Sequence, residues 1–168
     1  VSPYEGKGYR MREQRRALIA GGVALLGGGA AALAYAVWWR KNPSACPYEQ
    51  HFWLDVPHPF LTRARLRRIL ALQPGERALE VGPGTGHYTL DIAEQITPDG
   101  VLDILDLQQE MLDHTMRKAS EHRITNIVPT QGDAQDLPYP SDTFDAAYMT
   151  VTLGEVPDQD AVLRELCR

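Results

Sequence analysis

Residues 77–86 read Arg-Ala-Leu-Glu-Val-Gly-Pro-Gly-Thr-Gly, and the interpretation of the whole chain starts from them. The apolar run at Ala78, Leu79 and Val81 stops abruptly at glycines, which is typical of a buried parallel strand that turns tightly into a helix. Glycine adopts positive φ angles and has no Cβ, so backbone N–H groups in such a loop approach a ligand closely. The stretch predicts a strand, a glycine loop and a helix, the unit at which open α/β sheets bind nucleotide-like ligands.

The spacing of the glycines separates this loop from a dinucleotide-binding fingerprint. Gly82, Gly84 and Gly86 form G-x-G-x-G, and His87 occupies the place of the third glycine in G-x-G-x-x-G. Glu80 precedes the first glycine by two residues, and its charge would repel a pyrophosphate and favour a cation. A ligand that carries an adenosine and a positive charge but no phosphate fits this arrangement.

The loop resembles the first motif, E/D-x-G-x-G-x-G, of the class I S-adenosylmethionine-dependent methyltransferases. The resemblance extends over residues 60–168. Residues 137–140, Leu-Pro-Tyr-Pro, followed by Phe144-Asp145, are similar to the L-P-F-x…F-D run of the branch that contains ubiquinone, menaquinone and small-lipid methyltransferases. The resemblance implies an α/β fold with a Rossmann-like parallel sheet of strand order 3-2-1-4, and S-adenosyl-L-methionine as the cofactor.

Acidic residues also follow the next two predicted strands. The strand predicted at Val101–Leu107 contains Asp106, twenty residues after Gly86, where an acid would hydrogen-bond ribose hydroxyls. Asp133 closes a third strand, and in the resembled family this residue contacts the adenine amino group. The cofactor site implied by the resemblance consists of the following residues: Glu80, Gly82, Pro83, Gly84, Thr85, Gly86, Asp106, Leu107, Met111, Gly132, Asp133, Ala134 and Thr150.

The rest of the domain continues the alternation of helices and strands. Beyond those already named, the predicted elements are a helix at Phe60–Leu72, a helix from Tyr88, a helix at Met111–Glu121, strands at Ile127–Gln131 and Asp145–Val151, a loop at Leu153–Asp158 and a helix at Ala161–Arg168. Such alternation predicts a parallel sheet with right-handed crossovers. Members of the resembled family continue into further strands, so we expect residues 60–168 to be a cofactor-binding domain without its C-terminal part.

An uncharged segment, residues 17–39, precedes the domain. At 1.5 Å per residue it is long enough to cross a hydrocarbon core of about 30 Å. Aromatic residues cluster at its far end and Arg40-Lys41 follow, as in an aromatic belt with a charged stop. We expect a single transmembrane helix between a basic disordered tail, residues 1–16, and a proline-broken juxtamembrane linker, residues 40–59.

Several questions about this segment stay open at the sequence level. A cleaved signal peptide is an alternative, because residues 34–36 have the A-x-A form, although the apolar stretch exceeds the usual length of about 7–15 residues. Counting Lys and Arg beside the span places the domain outside, whereas a cytosolic cofactor requires it inside, and we expect the cytoplasmic side. Small residues at every fourth position from Ala20 to Ala36 raise the hypothesis of a homodimer. The natural start is either Val1 or Met11.

Composition narrows the classes of partner. The net charge of −5 and a pI near 5.5 argue against a nucleic-acid-binding protein that depends on overall positive charge. Cys46 and Cys167 form no C-x-x-C pair, and His51 and His58 have no second ligand at metal spacing, so no metal site is predicted. The arginines of the helix at 60–72 form either a solvated face or a surface for anionic lipid headgroups.

The implied chemistry is methyl transfer, an in-line displacement at a sulfonium carbon. The protein then supplies mainly proximity, alignment and a suitable electrostatic environment, with no covalent nucleophile. His87, Tyr88 and Tyr148 are within reach as a base, but the sequence identifies no catalytic residue. The membrane segment favours a small-molecule or lipid acceptor such as a quinone precursor or a phospholipid amine. The alternative is a non-catalytic module that binds S-adenosylmethionine or a nucleoside, or a membrane-tethered scaffold.

Overall fold

The computed structural model describes residues 32–34, 37–38, 44, 46–49 and 61–168. The predicted basic tail, most of the predicted transmembrane helix and most of the linker lie outside these residues. Residues 32–34 and 37–38 are helical and exposed. Within the described parts of the chain, no helix is both long and apolar enough to cross a bilayer.

The domain alternates helices and strands, as the sequence predicts. In chain order the elements are α1 (Arg63–Leu70), β1 (Arg77–Val81), α2 (Thr89–Gln95), β2 (Val101–Asp106), α3 (Gln109–Glu121), β3 (Ile127–Gln131), β4 (Ala146–Met149), a 3-10 helix (Thr152–Glu155) and α4 (Gln159–Leu166). All strand pairs are parallel, and the order in the sheet is β3-β2-β1-β4. The predicted strand order and the Rossmann-like α/β fold are confirmed.

The two central strands are buried on both faces. Ala78 of β1 and Leu102 and Ile104 of β2 belong to the core cluster that includes Ile92 of α2, and Leu79 and Leu105 belong to a second cluster. Side chains of a strand alternate between faces, so consecutive apolar residues fill both sides when helices cover the sheet. This burial holds the carboxyl ends of β1 and β2, where the predicted site lies, in one place.

Some element ends differ from the prediction because local backbone conformation decides them. The fourth strand ends at Met149, two residues before the predicted end, and Val151 has a left-handed φ of 67° that is incompatible with an extended strand. A 3-10 helix follows where a loop was predicted. Helix α4 begins at Gln159, earlier than predicted, because the Asp158 side chain accepts a hydrogen bond from the Ala161 amide at 2.9 Å and caps it.

Candidate functional site

A cavity of about 490 Å³ lies at the carboxyl ends of the strands. Its walls are the glycine loop after β1, the segments that follow β2 and β3, and the 3-10 helix after β4. In open parallel sheets ligands bind at this edge, beside the point where the strand order reverses, which here lies between β1 and β4. The volume falls within the roughly 300–1,000 Å³ of small-molecule sites.

The structure brings most of the predicted cofactor residues together around this cavity. Every residue of the predicted set lines it except Glu80 and Gly86. Asp106 is the last residue of β2, Asp133 follows the adjacent strand β3, and glycines of the set come from the loop after β1 and the segment after β3. The convergence follows from the sheet, because the carboxyl ends of parallel strands meet at one edge.

The glycine loop is shaped by positive φ angles and by a close neighbour. Gly82 has φ 71°, and a Cβ at this position would lie 2.4 Å from the Thr152 hydroxyl oxygen, so glycine is needed for both space and conformation. From the other side, the Thr115 hydroxyl of α3 donates to the Gly84 carbonyl at 3.0 Å, and Lys118 donates to the Thr85 carbonyl at 3.0 Å. The loop is therefore held from two sides.

Asp106 stands at the end of β2, half-buried in the cavity wall. One carboxylate oxygen, Oδ1, accepts a hydrogen bond from the Gln108 amide at 2.9 Å. Burial raises the pKa of this carboxyl, while the backbone N–H groups of Gln108, Gly84 and Leu107 act in the opposite direction. A carboxylate accepts several hydrogen bonds, so Asp106 is suited to a ligand hydroxyl.

Asp133 lies at the exposed rim of the cavity, just after β3. Its Oδ1 accepts a hydrogen bond from the Gln135 amide at 2.9 Å, and the side-chain amide of Gln135 lies 3.1 Å from both carboxylate oxygens. This local ring of hydrogen bonds orients the carboxylate without covering it. Gln135 also lines the cavity, although no sequence pattern marks it as a site residue.

Glu80 lies beneath the glycine loop instead of in the cavity wall. It is 1% exposed, and its Oε2 accepts a hydrogen bond from the Thr89 hydroxyl of α2 at 2.6 Å. Burial raises the pKa of Glu80 to about 7, although the hydroxyls of Thr89 and of Tyr148, its register partner on β4, oppose the shift. Among the described residues Oε1 has no hydrogen-bond partner of good geometry. The direct role predicted for Glu80 towards the ligand stays a prediction.

A segment that precedes the domain in sequence also reaches the cavity. We call Ser44 and residues 46–49 the strap; Ser44 and Cys46 line the cavity. The Cys46 amide donates to Glu155 Oε2 at 3.0 Å, and the Gln108 side-chain amide donates to the Cys46 carbonyl at 2.8 Å. The strap is thus bonded to two walls of the cavity, the segment after β2 and the 3-10 helix.

The lining residues that sequence reasoning missed include residues of the strap and of the 3-10 helix. Glu155 lines the cavity and is half-buried, and its pKa is raised by burial and by the charge of Asp106, against the Cys46 amide. No local pattern marked Glu155, since it lies in a segment predicted as a loop. His87 and Tyr88, named only as residues within reach, do line the cavity, whereas Tyr148 does not.

The charged residues that line the cavity are all acidic in the part of the chain that the structure describes. Among the described residues, the charged ones that line the cavity are Asp106, Asp133 and Glu155, and none is Lys or Arg. A nucleotide phosphate would find no cationic side chain in this wall, whereas a cationic ligand would be attracted to it. This set of acidic residues agrees with the positive charge of the expected ligand, a sulfonium nucleoside.

Comparison with known proteins decides the family. The ubiE/COQ5 methyltransferase family matches residues 58–168. The chain belongs to this family. The predicted class of S-adenosylmethionine-dependent methyltransferases, and its ubiquinone and menaquinone branch, is confirmed at the level of the family.

Individual relatives of this ubiE/COQ5 chain agree with that assignment. It is 36% identical over 99 residues to the demethylmenaquinone methyltransferase of Geobacillus sp. (strain WCH70), covering 58% of this chain and 42% of that protein. It is also 34% identical over 108 residues to the demethylmenaquinone methyltransferase of Listeria monocytogenes serotype 4a (strain HCC23), and the match covers 63% of this chain and 45% of that protein. The chain thus spans less than half the length of these curated relatives.

A solved structure supports the fold. The S-adenosylmethionine-dependent methyltransferase of Aquifex aeolicus superimposes with a TM-score of 0.67 at 23% identity, covering 74% of this chain and 67% of that one. At this identity the likeness concerns the fold, which is the Rossmann-like sheet described above.

The residues of this ubiE/COQ5 chain fit S-adenosylmethionine, the cofactor of the family. The half-buried Asp106 offers acceptor oxygens for ribose hydroxyls, and the exposed Asp133 offers them for an amino group. Leu107 and Met111 add apolar surface to the lining. Because the wall carries acids and no cationic side chain among its described residues, it suits a positively charged sulfur.

Proposed function

We propose that the protein is an S-adenosylmethionine-dependent methyltransferase that acts on a quinone-like aromatic acceptor. The observation that supports the proposal most is the cavity at the ends of β1 and β2, which joins the glycine loop to Asp106 and Asp133 and has no cationic lining residue among those described. Membership of the ubiE/COQ5 family supports the reaction class. The names of the relatives, demethylmenaquinone methyltransferases, support the acceptor class.

The cofactor, when bound, supplies a methyl group activated by a positively charged sulfur. The residues of the chain would bind and orient it: Asp106 would accept hydrogen bonds from hydroxyls and Asp133 from an amino group, and the glycine loop would let its backbone come close. Alignment of this kind lowers the barrier of a displacement reaction through proximity. The proposed cofactor-binding residues are those of the predicted set that line the cavity.

A further part of the cavity lining consists of Tyr88, Val151, Val156 and Pro157. These side chains are largely apolar and suit an aromatic ring with a hydrocarbon tail. Glu155 lines the cavity as well, and burial raises its pKa, so that it holds a proton more readily than an exposed carboxyl does. We propose this part of the lining as the acceptor side.

Binding and transfer are tested with the full chain and one pair of variants. Calorimetry with S-adenosylmethionine and S-adenosylhomocysteine should show binding, and a radiolabelled methyl group should pass to a demethylated naphthoquinol. Asp106→Asn should weaken binding by about 1–3 kcal/mol, roughly 5- to 150-fold, because a charged acceptor is lost. Asp113→Asn, an exposed carboxyl on α3, is the control and should bind normally.

The two alternatives give different results in the same assays. Binding without transfer to a quinol or to a phospholipid would indicate a binding module. Absence of binding to either ligand would indicate a scaffold. Transfer to a phospholipid amine instead of the quinol would move the acceptor class to lipids.

We also propose that residues 17–39 anchor the protein in a membrane as a single-pass helix, with the domain on the cytoplasmic side. The support comes from the sequence: the segment is uncharged, is long enough to span and is followed by Arg40-Lys41. The protein should resist extraction by alkaline carbonate, and its domain should be cleaved by protease only in inside-out vesicles. Release by carbonate would contradict the anchor.

The row of small residues from Ala20 to Ala36 supports the further proposal of a homodimer through this helix. Crosslinking of the full chain in bilayers should give a dimer band that disappears in Gly28→Leu, in which the larger side chain keeps the helices apart. A monomer alone in wild type would contradict it.

A further inference from the structure

Helix α1 concentrates positive charge on a domain that is otherwise acidic. Four of the six residues from Arg63 to Arg68 are arginine, and all four are exposed. The first turn of the helix contains no acidic residue. By contrast, residues 69–168 contain six Lys or Arg and eighteen Asp or Glu. The surface of α1 is therefore positively charged, in contrast to the rest of the domain.

An exposed apolar side chain accompanies these arginines. Ile69 is 61% exposed on the last turn of α1, while Leu66 is the buried residue that holds the helix on the domain. An exposed apolar side chain beside several arginines is typical of an interfacial helix. In such a helix the charged groups bind lipid headgroups, while the apolar side chains enter the boundary of the acyl chains. A nucleic acid would use the charge but not the isoleucine.

The helix also stands beside the functional cavity. The Tyr88 hydroxyl donates a hydrogen bond at 2.8 Å to the carbonyl of Leu61, two residues before α1 begins, and Tyr88 lines the cavity. Within α1, Arg67 lies 3.7 Å from Asp91 of α2, the helix that follows the glycine loop. Any surface on which α1 rests is thus close to Tyr88 and the cavity wall.

We propose that α1 is the surface on which the domain docks to an anionic lipid bilayer, so that the cavity faces the source of a lipid-soluble acceptor. The acceptor part of this inference rests on the proposed function, whereas the docking surface does not. The occupant is a membrane with anionic headgroups because the exposed arginines complement negative charge and the exposed Ile69 complements an apolar phase. A membrane anchor in residues 17–39 would hold the domain near the bilayer, and α1 would set its orientation.

The experiment reads the surroundings of residue 69 in the full chain. An environment-sensitive fluorophore is attached at Ile69→Cys in a background of Cys46→Ser and Cys167→Ser, and vesicles of phosphatidylcholine alone or mixed with phosphatidylglycerol are added. The emission should shift to the blue only with the mixed vesicles, and high salt should reverse the shift. The same label at Leu163→Cys, a 46% exposed position on α4, is the control and should not respond.

Charge variants separate α1 from general electrostatics. Replacing Arg63, Arg65 and Arg68 together by Gln should weaken the response to mixed vesicles on the order of 100-fold, since each basic residue near a membrane surface contributes about one factor of five. Replacing Arg117, Arg123 and Arg164 by Gln removes the same charge from other elements and should leave the response within a few-fold of wild type. The Lys versions of the first three should retain it, which controls for folding.

Three results would overturn the proposal. The emission could be equal on neutral and mixed vesicles, or the two triple Arg→Gln variants could weaken the response equally. The third is a blue shift produced by double-stranded DNA or RNA but not by vesicles. None of these readings depends on methyl transfer. Loss of docking would leave the proposed reaction intact, and failure of methyl transfer would leave the docking result intact.

Discussion

At the scale of single residues, the site depends on positions whose role comes from their neighbours. Gly82 is required because Thr152 of the 3-10 helix occupies the space where its Cβ would be. Glu80 lies between Thr89 and Tyr148, where burial disfavours the charged form of its carboxyl group. Both residues were predicted from the sequence as ligand contacts; Gly82 also shapes the loop, and Glu80 accepts a hydrogen bond from Thr89 of α2.

Gly82→Ala should lower both stability and cofactor binding. The new Cβ meets Thr152 at 2.4 Å, and φ 71° is strained for alanine, so we expect a loss of more than about 2 kcal/mol in the free energy of unfolding. Gly75→Ala is the matched control, because Gly75 has φ 90° but nothing within 4 Å, and strain alone should cost about 1–2 kcal/mol. Urea denaturation measures both. Equal losses would show that the contact with Thr152 is unimportant.

Glu80→Gln should change how stability depends on pH. Because the pKa of Glu80 is raised from 4.5 to about 7 in the folded state, the unfolded carboxyl releases its proton first as the pH rises through this window. The unfolded state is thereby favoured, and wild type should lose up to about 3 kcal/mol between these pH values. The Gln variant lacks this loss.

Urea denaturation across pH 4.5 to 7 measures the effect, with Glu121→Gln, an exposed carboxyl at the end of α3, as the control. The stability of Glu80→Gln should rise relative to wild type as the pH increases, while the control should run parallel to wild type. If Glu80→Gln also ran parallel, Glu80 would titrate like an exposed carboxyl.

At the scale of elements, the cavity is closed by pieces that lie far apart in the chain. The strap is held by Glu155 and Gln108 inside the cavity and by a contact outside it, where the Tyr48 hydroxyl lies 3.3 Å from His114 Nδ1. A segment held by a few hydrogen bonds opens more easily than the strands beneath it. We therefore expect the strap to influence how fast a ligand leaves.

Removal of the strap contacts should accelerate ligand release. Gln108→Ala should raise the dissociation rate of S-adenosylhomocysteine about fivefold, since one hydrogen bond contributes about 1 kcal/mol. Tyr48→Phe should have a similar effect although Tyr48 does not line the cavity. Gln109→Ala, which loses only a surface contact with Asp113, is the control. Stopped-flow fluorescence measures the rates, and an unchanged rate in Tyr48→Phe would exclude a closing role for the strap.

At the scale of the whole molecule, binding and folding are coupled because the cavity exists only when four strands, the 3-10 helix and the strap are in place. A ligand at 100 times its dissociation constant should stabilise the fold by about 2.7 kcal/mol, which corresponds to a rise in Tm of roughly 10 °C. Differential scanning calorimetry with S-adenosylhomocysteine measures it. Asp106→Asn at the same ligand concentration should show a smaller rise, and an equal rise would mean that Asp106 does not hold the ligand.

Much of the fold could be predicted because the signals are local. The strand at Ile127–Gln131 was placed at its observed ends, and the order of the four strands followed from the alternation of elements with the family resemblance. The end of β4 was misplaced because apolar and aromatic residues continue past Met149, while the backbone turns left-handed at Val151. Periodicity does not report such a turn.

The sequence by itself determined the glycine loop, the order of the elements and the acids after β2 and β3. Glycine conformation and side-chain periodicity act within a few residues, so they can be read along the chain. Only the tertiary structure decided that Glu80 is buried beneath the loop and that Cys46 meets Glu155, 109 residues later, across the cavity. Burial and long-range hydrogen bonds arise when elements pack, and no local pattern carries them.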